Sequence, residues 1–558
     1  MQIIKNVFKF LIFVFPFPIS AQSTYFQQEA KELHFIDRME IMEQRNTDLN
    51  FSSLKPYNRK YVLQETALLD SNGHLAKLSK TDQYNLLSLY MNNNEWYNEN
   101  QSVFLSKKPI LKTFYKSQSN AYEVNVKDFF LAINPVLHFR MGKELENDKN
   151  IYLNSRGLTL RGRIANKIGF SSTIIDNQER GPLFFQQEVA ELRAVPGVGF
   201  YKAFKKDVNT QDYFDGRGYL TFNATKYIDF QFGYDKNFIG NGYRSLFLSD
   251  WGNSYLFAKI NTRIWKFNYQ NLFMELMPRY KDIGNNLLRR KYAAMHHLSM
   301  NVSKSLNIGL FEGIMFGRSD HFDFEYLNPI IFYRHIEGTI GSPDNAVAGL
   351  DFKINVKKRA QFYGQFLLDE FILSKIKNDP SNWVNKFGIQ LGAKYIDAFG
   401  IKNLDLQAEL NRVRPFTYSH FDTINNYTHY NQPLAHPLGA NFQECIGIIR
   451  YQPFPKWNFY ARAIYYYKGM DTANANFGGN IFKSYLTRLS DAGFNVGSGN
   501  KATCLNTNLN VSYEFRQNLF FEAGVQNRNY KLASGYKDNS VSFSAGIRLN
   551  IYKREYNF

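Results

Sequence analysis

The amino-acid sequence predicts an all-β fold, a large antiparallel transmembrane β-barrel that follows a small, partly helical N-terminal segment. The main observation is that apolar and polar residues alternate with period two through most of the chain. The 558 residues are also 17% aromatic, which excludes a disordered chain. Mean hydropathy is nevertheless −0.41. After the N-terminus no apolar run approaches the ~20 residues of a membrane helix, so a helical membrane protein is excluded.

Residues 1–21 have the features of a secretory signal peptide. Lys5 and Lys9 give a basic start, an apolar stretch follows, and Ser20-Ala21 offers small residues at a cleavage point. Removal of these two lysines lowers the formal net charge from +18 to +16. No cysteine follows the cleavage point, so a lipoprotein anchor is not expected. We therefore predict that the protein is exported.

Residues 22–117 lack sustained alternation and predict a partly helical periplasmic segment. Ser79 followed by Asp82 is typical of a helix N-cap, and apolar residues recur at helical spacing from there to Met91. A second helix is predicted around Ile36. This segment would precede the barrel.

Residues 118–558 carry the alternation, which is clearest at 228–235, 350–357, 404–411, 505–516 and 541–551. A soluble sandwich and a membrane barrel both use such strands. Strands of ~9–12 residues suit a tilted membrane crossing, and aromatic ends such as Tyr465-Tyr466-Tyr467 suit interfacial girdles. No Pro/Gly/Ser linker divides the region into separate sandwiches. At roughly 10 residues per strand and as many per connection, it allows about 16–20 strands.

The end of the chain is aromatic, with Tyr552, Tyr556 and Phe558. This pattern predicts an aromatic-ended last strand of the kind that the outer-membrane barrel assembly machinery recognises in bacterial barrels. Together with the signal peptide, it predicts the outer membrane of a Gram-negative bacterium as the location.

The chain also resembles a known family in seven segments: KPILKTFYKSQSNAYEV (108–124), NSRGLTLRGRIANKIGF (154–170), IGNGYRSLFLSDWG (239–252), FEYLNPIIFYRHIEG (324–338), GSPDNAVAGLDF (341–352), YGQFLLDEF (363–371) and NYTHYNQPLAHPLGANF (426–442). Together they resemble the Wzi-type capsule-assembly barrels, in particular the Bacteroidetes branch that includes the gliding-motility protein RemB. The resemblance implies a barrel of about 18 strands with periplasmic N-terminal helices. It implies a role in attaching or organising surface polysaccharide, or in surface motility with gliding machinery proteins as partners. No catalytic site is carried over.

The region 412–442 is the densest candidate for a ligand site. It combines aromatic rings, which stack on sugars, with side chains that bind hydroxyls or carboxylates. The candidate residues are Arg412, Arg414, Tyr418, His420, His429, Tyr430 and His436. Its prolines predict a loop at a barrel mouth, and the alternative role is a rigid loop that plugs the lumen. Residues 240–244 are predicted to form a tight turn between strands. Arg244 and Trp251 are expected to contribute to a polar site near a strand end.

Other chemistry is poorly supported, and we predict no enzyme, catalytic residue, metal or cofactor. The histidines of region 412–442 are nine and seven residues apart, which fits no compact metal site. The neighbours His296 and His297 would point to opposite faces of a strand. Acidic residues are expected to form ion pairs in the lumen rather than a glycosidase pair. Cys445 and Cys504 would form a disulfide only on neighbouring strands in register.

Three functions remain open from the sequence. The first is a barrel that binds or organises surface polysaccharide in capsule assembly or gliding motility. The second is a porin-like diffusion channel, and the third is a barrel enzyme that acts on lipid or glycan. The net positive charge favours contacts with anionic glycan or with lipopolysaccharide phosphates, whereas nucleic acid is not expected outside the inner membrane.

Overall fold

The computed structural model describes residues 23–558 except for 29, 46–52, 72, 74–77, 98–100, 146, 166, 281–286, 319–320, 330–331, 342 and 371–372. The predicted signal peptide, residues 1–21, lies outside these described residues. Among the described residues, no helix is long and apolar enough to cross a membrane.

The described strands form a closed antiparallel barrel of eighteen strands, which confirms the predicted fold. Each strand pairs with the next along the chain, and the last pairs with the first, with Leu549 opposite Leu137. In chain order the strands are β1 Phe129–Glu144, β2 Ile151–Ile164, β3 Ile168–Arg180, β4 Asp207–Thr225, β5 Ile228–Asp235, β6 Tyr255–Ile264, β7 Phe267–Leu276, β8 Lys291–Asn301, β9 Leu306–Phe316, β10 Asn345–Val356, β11 Ala360–Glu370, β12 Lys386–Tyr395, β13 Leu404–Val413, β14 Phe442–Phe454, β15 Trp457–Met470, β16 Asn500–Arg516, β17 Leu519–Leu532 and β18 Lys537–Leu549.

The barrel wall turns its apolar side chains outward and its polar side chains inward. On β1, Leu137, Phe139 and Met141 are about half exposed, whereas His138 between them is buried. The same alternation gives β17 and β18 exposed Phe521, Phe543 and Ile547 on the outer face. This is the arrangement of a membrane barrel rather than of a soluble sandwich, whose apolar faces turn inward.

The N-terminal region contains helices α1 Glu32–Glu43, α2 Arg59–Ser71 and α3 Lys80–Asn92. Their buried apolar residues form one cluster that includes Ile36, Met39 and Leu89. The Ser79 hydroxyl accepts a hydrogen bond from the Asp82 backbone N–H at 3.0 Å, so the predicted N-cap is confirmed. We call α1–α3 the helical plug, because it closes one end of the lumen.

Buried ion pairs hold the helical plug against the barrel wall. Arg38 is only 2% exposed, and its guanidinium pairs with Asp405 and, at 3.2 Å, with Asp397. The Lys394 ammonium lies 2.6 Å from the Asp37 carboxylate. Burial opposes ionisation of Asp37, yet this ammonium lowers its pKa well below the usual range. The N-terminal region is therefore docked tightly on the barrel.

The long connections lie at the opposite end from the helical plug. They are 181–206, 236–254, 277–290, 317–344, 371–385, 414–441 and 471–499, and they contain helices α4 Leu183–Leu192, α5 Tyr333–Thr339 and α6 Leu373–Asn378. At the plug end the strands are joined by short turns, for example at 357–359 between β10 and β11. The two ends of the barrel are thus built differently.

The main hydrophobic core lies inside the barrel, near the long connections. Segments 236–254 and 414–441 fold into the lumen, where Leu246, Phe247 and Tyr427 are fully buried. The N-terminal region also enters the lumen, since the short strand Leu54–Lys55 pairs with Phe238–Ile239.

The end of the chain differs from the aromatic-ended last strand that the sequence predicts. The last strand ends at Leu549, and residues 550–558 form no strand. They run instead along the inner wall, from the short-turn end to α4, where the Tyr556 and Phe558 rings lie 6.2 and 5.8 Å from the Phe184 ring. The prediction that these aromatic residues end the last strand is wrong, because their rings have an apolar site inside the lumen. We call residues 550–558 the C-terminal tail.

Candidate functional site

A cavity of about 360 Å³ lies in the middle of the lumen. Helix α1, segment 236–254, the inner wall and the C-terminal tail all border it. Its volume falls in the roughly 300–1,000 Å³ range of ligand pockets. The cavity brings together parts of the chain that are far apart in sequence, so no local motif could have indicated it.

Basic side chains outnumber acidic ones around the cavity. Among the described lining residues the basic ones are Arg38, Lys55, Arg217, Lys236, Arg244, Lys394, Arg450, Lys553 and Arg554. The acidic ones are Asp37, Asp250, Asp405 and Glu555. The charge of the lining therefore favours an anionic ligand over a cationic one.

The C-terminal tail places the Glu555 carboxylate in the cavity, where nearby protein groups balance its negative charge. Glu555 pairs with the Arg462 guanidinium and accepts a hydrogen bond from the Tyr243 hydroxyl at 3.2 Å. Burial opposes its ionisation, but the Arg462 charge lowers the pKa of Glu555 to about 2. Glu555 is thus a fixed negative charge that locks the tail to the wall.

Lys55 and Arg450 are cations of the cavity that form no ion pair within 4 Å among the described residues. Lys55 lies over the Phe238 ring, with its Nζ 5.3 Å from the ring centroid. Arg450 donates a hydrogen bond to Gln407 at 3.0 Å and lies over the Tyr460 ring. Burial lowers the pKa of Lys55 to about 8. Lys55 and Arg450 are therefore the cations of the cavity that are best placed to bind an anionic ligand.

Arg244 and Trp251 are the two residues of the predicted site that border the cavity. The Arg244 guanidinium binds Glu444 at 3.3 Å and the carbonyl of Asn557 in the C-terminal tail. The Trp251 ring lies edge-on to the Phe558 ring, with centroids 5.1 Å apart. Both residues therefore contact the tail directly.

The prediction of a tight turn between strands at 240–244 is wrong, because these residues belong to a segment that crosses the lumen. The Glu409 carboxylate accepts hydrogen bonds from the backbone N–H groups of Tyr243 and Arg244 at 2.7 and 3.1 Å. A Cβ on Gly242 would lie 2.4 Å from the same carboxylate, so glycine is needed for this approach. The acidic group on the barrel wall decides the path of the segment.

Most of the predicted residues in 414–441 are buried and bonded to protein groups. The Tyr418 hydroxyl donates to the Leu246 carbonyl at 2.8 Å, and His436 contacts Glu444 at 2.7 Å. His429 accepts a hydrogen bond from the Met277 N–H at 3.0 Å. Its other ring nitrogen contacts the Ser254 carbonyl at 3.1 Å, and burial lowers its pKa to about 3. Contacts of this kind fit the alternative role predicted for region 412–442, that of a rigid loop that plugs the lumen.

The remaining predicted residues are dispersed. Arg412 lies on β13 with an exposed side chain on the outer face. Arg414 is buried and donates to the carbonyls of Asn385 and Phe494 at 2.7 and 3.0 Å. His420 packs on its neighbour Phe421, and Tyr430 lies edge-on to Tyr280. The structure does not gather these seven side chains around one space, and their role in binding stays a prediction.

The other sequence-based expectations can be checked by position. His296 and His297 are on opposite faces of β8, as predicted, and contact Tyr333 and Asp351 respectively. Cys445 is exposed and Cys504 is buried, and both are free. No group of three or more His, Cys, Asp or Glu residues suited to a metal ion occurs in the described part of the chain.

No family model matches this sequence, and no curated protein matches it either. Among solved structures, the fold is similar to that of Wzi from Escherichia coli, an outer membrane protein involved in group 1 capsule assembly and described as a carbohydrate-binding β-barrel. The TM-score is 0.56 with 14% identity, and the match covers 96% of this chain and 100% of Wzi. OprD from Pseudomonas aeruginosa is more distant, with a TM-score of 0.43, 10% identity and coverage of 75% and 94%. The similarity to Wzi shows a common fold.

Proposed function

We propose that this chain is an outer-membrane β-barrel that binds or organises surface polysaccharide, in capsule assembly or gliding motility. The apolar outer face of the barrel supports a membrane location, because lipid-facing positions of membrane barrels are apolar while lumen positions are polar. Bacterial barrels have short periplasmic turns and longer external loops. On that basis the helical plug faces the periplasm and the long connections face the cell exterior.

The observation that carries the binding role is the filled lumen. The helical plug, segments 236–254 and 414–441 and the C-terminal tail all occupy it, and they bond to one another and to the wall. Eighteen strands would otherwise enclose enough room for water. A diffusion channel, the alternative function, would need several of these buried contacts to break.

The charge of the molecule supports an anionic ligand. The chain carries a formal net charge of +18, and cations dominate the central cavity. We propose acidic surface polysaccharide as the ligand, with lipopolysaccharide phosphates as neighbours. Of the predicted residues, Arg244 and Trp251 border a cavity and Arg412 is exposed, so these are the proposed sugar contacts. The buried Tyr418, His429 and His436 would support them.

A gene deletion tests the proposal and separates its two forms. We expect viable cells that release surface polysaccharide into the medium if the role is in capsule assembly. Cells that keep their polysaccharide but stop spreading would indicate gliding motility. Normal retention and normal spreading together would contradict both forms, and reintroduction of the wild-type gene is the control.

Conductance in planar bilayers tests the alternative. We expect the purified full chain to show no large, steady pores, because the lumen is filled. Large and steady currents from the intact chain would favour a diffusion channel. A chain that lacks residues 550–558 is a useful comparison, since loss of the tail removes the Glu555 and Phe558 contacts that fill the lumen.

A further inference from the structure

The outer wall of the barrel carries an unusual row of polar side chains. Asn271 on β7, His296 on β8 and Glu312 on β9 lie side by side in register. They share the outward face with Leu310, which is 47% exposed two residues from Glu312. Polar groups at such positions are unfavourable in contact with lipid, where they find no hydrogen-bond partners.

The connection 317–344 folds back over this row and forms hydrogen bonds with Glu312 and His296. The Glu312 carboxylate accepts hydrogen bonds from the backbone N–H groups of Phe332 and Arg334, at 2.5 and 3.2 Å, where α5 begins. His296 contacts the Tyr333 hydroxyl at 2.5 Å, and the two rings stack with centroids 4.1 Å apart. Residues 332–334 are thus bonded to the outside of the barrel.

The covered area extends along the wall. The Tyr269 hydroxyl donates to the Pro329 carbonyl, and Tyr269 lies in one register row with Leu298 and Leu310. Closer to the long connections, Ala294 on the outer face is fully buried in a cluster with Tyr326. We call residues 321–329 and 332–340 the wall segment, and it reaches the same row as the exposed Leu310.

The wall segment exposes three large apolar side chains, alongside polar ones such as Glu325, Asn328 and His335. Phe324 and Phe332 are 78% and 70% exposed, and Leu327 is also exposed. They continue the apolar outer face, on which Leu310 and Leu350 are 47% and 44% exposed. The exposed Arg334 pairs with Glu337 at 2.7 Å, and its long stem allows the charge to reach a headgroup.

We propose that the wall segment lies in the outer leaflet of the membrane, with Phe324 and Phe332 in contact with lipid acyl chains. This inference rests on the outer-membrane location proposed above. The polar row then has a clear purpose, because it anchors a non-strand segment on the lipid-facing wall and is itself shielded from lipid. The segment widens the membrane contact of β7–β10 without an added strand.

Spin labels on single cysteines test this position in phospholipid vesicles. Cys445→Ser with Cys504→Ser gives the background, and Phe324→Cys and Phe332→Cys carry the labels. Leu310→Cys is the lipid-facing reference. Leu489→Cys, at a position 73% exposed in connection 471–499, is the aqueous reference. Oxygen collects in the acyl region and a water-soluble nickel complex does not, so the ratio of their relaxation effects reports depth.

We expect the labels at 324 and 332 to give ratios close to that at 310 and several-fold above that at 489. Ratios like that at 489, or labels inaccessible to both reagents as under a protein partner, would overturn the inference. A label at 310 that is not accessible to oxygen would instead overturn the membrane location itself. Heat-modifiable migration on gels identifies any variant that fails to fold.

Glu312→Ala tests whether the hydrogen bonds to Glu312 hold the wall segment in the membrane, or whether its apolar side chains alone keep it there. Loss of the carboxylate removes the acceptor of the Phe332 and Arg334 N–H groups. We expect the label at 332 to become several-fold more accessible to nickel in this variant, while the label at 310 stays unchanged. An unchanged label at 332 would contradict the anchoring role.

Discussion

The two ends of the lumen are closed by different chemistry. At the short-turn end the helical plug is held by charges, with Arg38 between Asp397 and Asp405. At the other end Tyr418 of segment 414–441 is held by a neutral hydrogen bond from its hydroxyl and by stacking on Tyr427 at 5.4 Å, although the same segment also contacts the Glu444 carboxylate through His436. Both sets of contacts are buried, but the Arg38 contacts depend on compensated charge and those of the Tyr418 side chain do not.

This difference has consequences for stability. A buried charge that loses its partner is strongly unfavourable, whereas a neutral hydrogen bond contributes only modestly. Stability should therefore fall sharply on loss of the Arg38 guanidinium at the plug end, and less on loss of the Tyr418 hydroxyl at the other end. The following variants test that contrast, from the largest expected effect to the smallest.

Arg38→Met should have the largest effect, because it leaves the buried Asp82 and Asp405 without their guanidinium partner. We expect a loss of about 3–5 kcal/mol in the free energy of unfolding. Protease cleavage of α1–α3 should become faster as the plug detaches. Lys402→Met is the matched control, since Lys402 is exposed and lies 3.6 Å from Asp397. Equal effects of the two variants would contradict the buried-charge argument.

Tyr418→Phe tests the opposite end. It removes the hydrogen bond to the buried Leu246 carbonyl but keeps the ring stacked on Tyr427. We expect a loss of about 1–3 kcal/mol, measured by urea unfolding in detergent micelles. A loss as large as that of Arg38→Met would mean that the two ends do not differ as described.

Acidification should weaken the two ends through different groups, chiefly His429 in segment 414–441 and Asp37 in the helical plug. The folded pKa of His429 is about 3, so the unfolded chain binds more protons below its ordinary value of 6.5. Stability is therefore lost as the pH falls from 6.5 towards 3, by at most about 1.4 kcal/mol per pH unit. The lowered pKa of Asp37 at the plug end gives a loss only below about pH 4.

His429→Gln should remove much of the loss between pH 6.5 and 4, because an amide keeps both hydrogen bonds and does not titrate. His34→Gln is the matched variant in the helical plug, where burial also lowers the histidine pKa but Asp405 opposes the shift. We expect a smaller change there. Unfolding midpoints of the two variants should be measured at several pH values. If both variants show the same pH dependence of stability, the loss below pH 6.5 is not due mainly to His429.

Lys55→Met should give the smallest effect on stability, and it probes the cavity between the two ends. The folded pKa is about 8 against 10.5 for the free group, so the wild-type chain gains stability as the pH rises between these values. Since Lys55 is partly exposed to the cavity, we expect the variant to be about 1 kcal/mol more stable at pH 7. Binding of acidic oligosaccharides, followed by calorimetry, should weaken. Lys357→Met, in an exposed turn, is the control and should change neither property.

Local patterns explain which predictions the structure confirms. The period-two alternation around Val541 and Phe543 predicts a strand with one lipid-like face, and β18 has that face outward. The Ser79–Asp82 pattern predicts a cap, and the cap forms. Both signals act over a few residues, so they can be recognised without knowledge of distant contacts.

The candidate site is different, because its residues meet only when the barrel closes. Lys55, Arg450 and Glu555 come from the N-terminal region, the wall and the tail, and no spacing in the sequence relates them. Conversely, Arg412 and Arg414 are only two residues apart in sequence, but Arg412 is exposed on the outer face of β13, whereas Arg414 lies beyond the end of that strand and is buried against Asn385 and Phe494.

The sequence by itself determined the fold class, the approximate strand number and the capped N-terminal helix, since these depend on short-range periodicity and capping. Only the tertiary structure decided how the lumen is filled. The path of segment 236–254 follows the buried Glu409, and the C-terminal tail turns inward because the Tyr556 and Phe558 rings pack on α4. Such choices depend on the burial of charges and rings by distant parts of the chain, which no local pattern records.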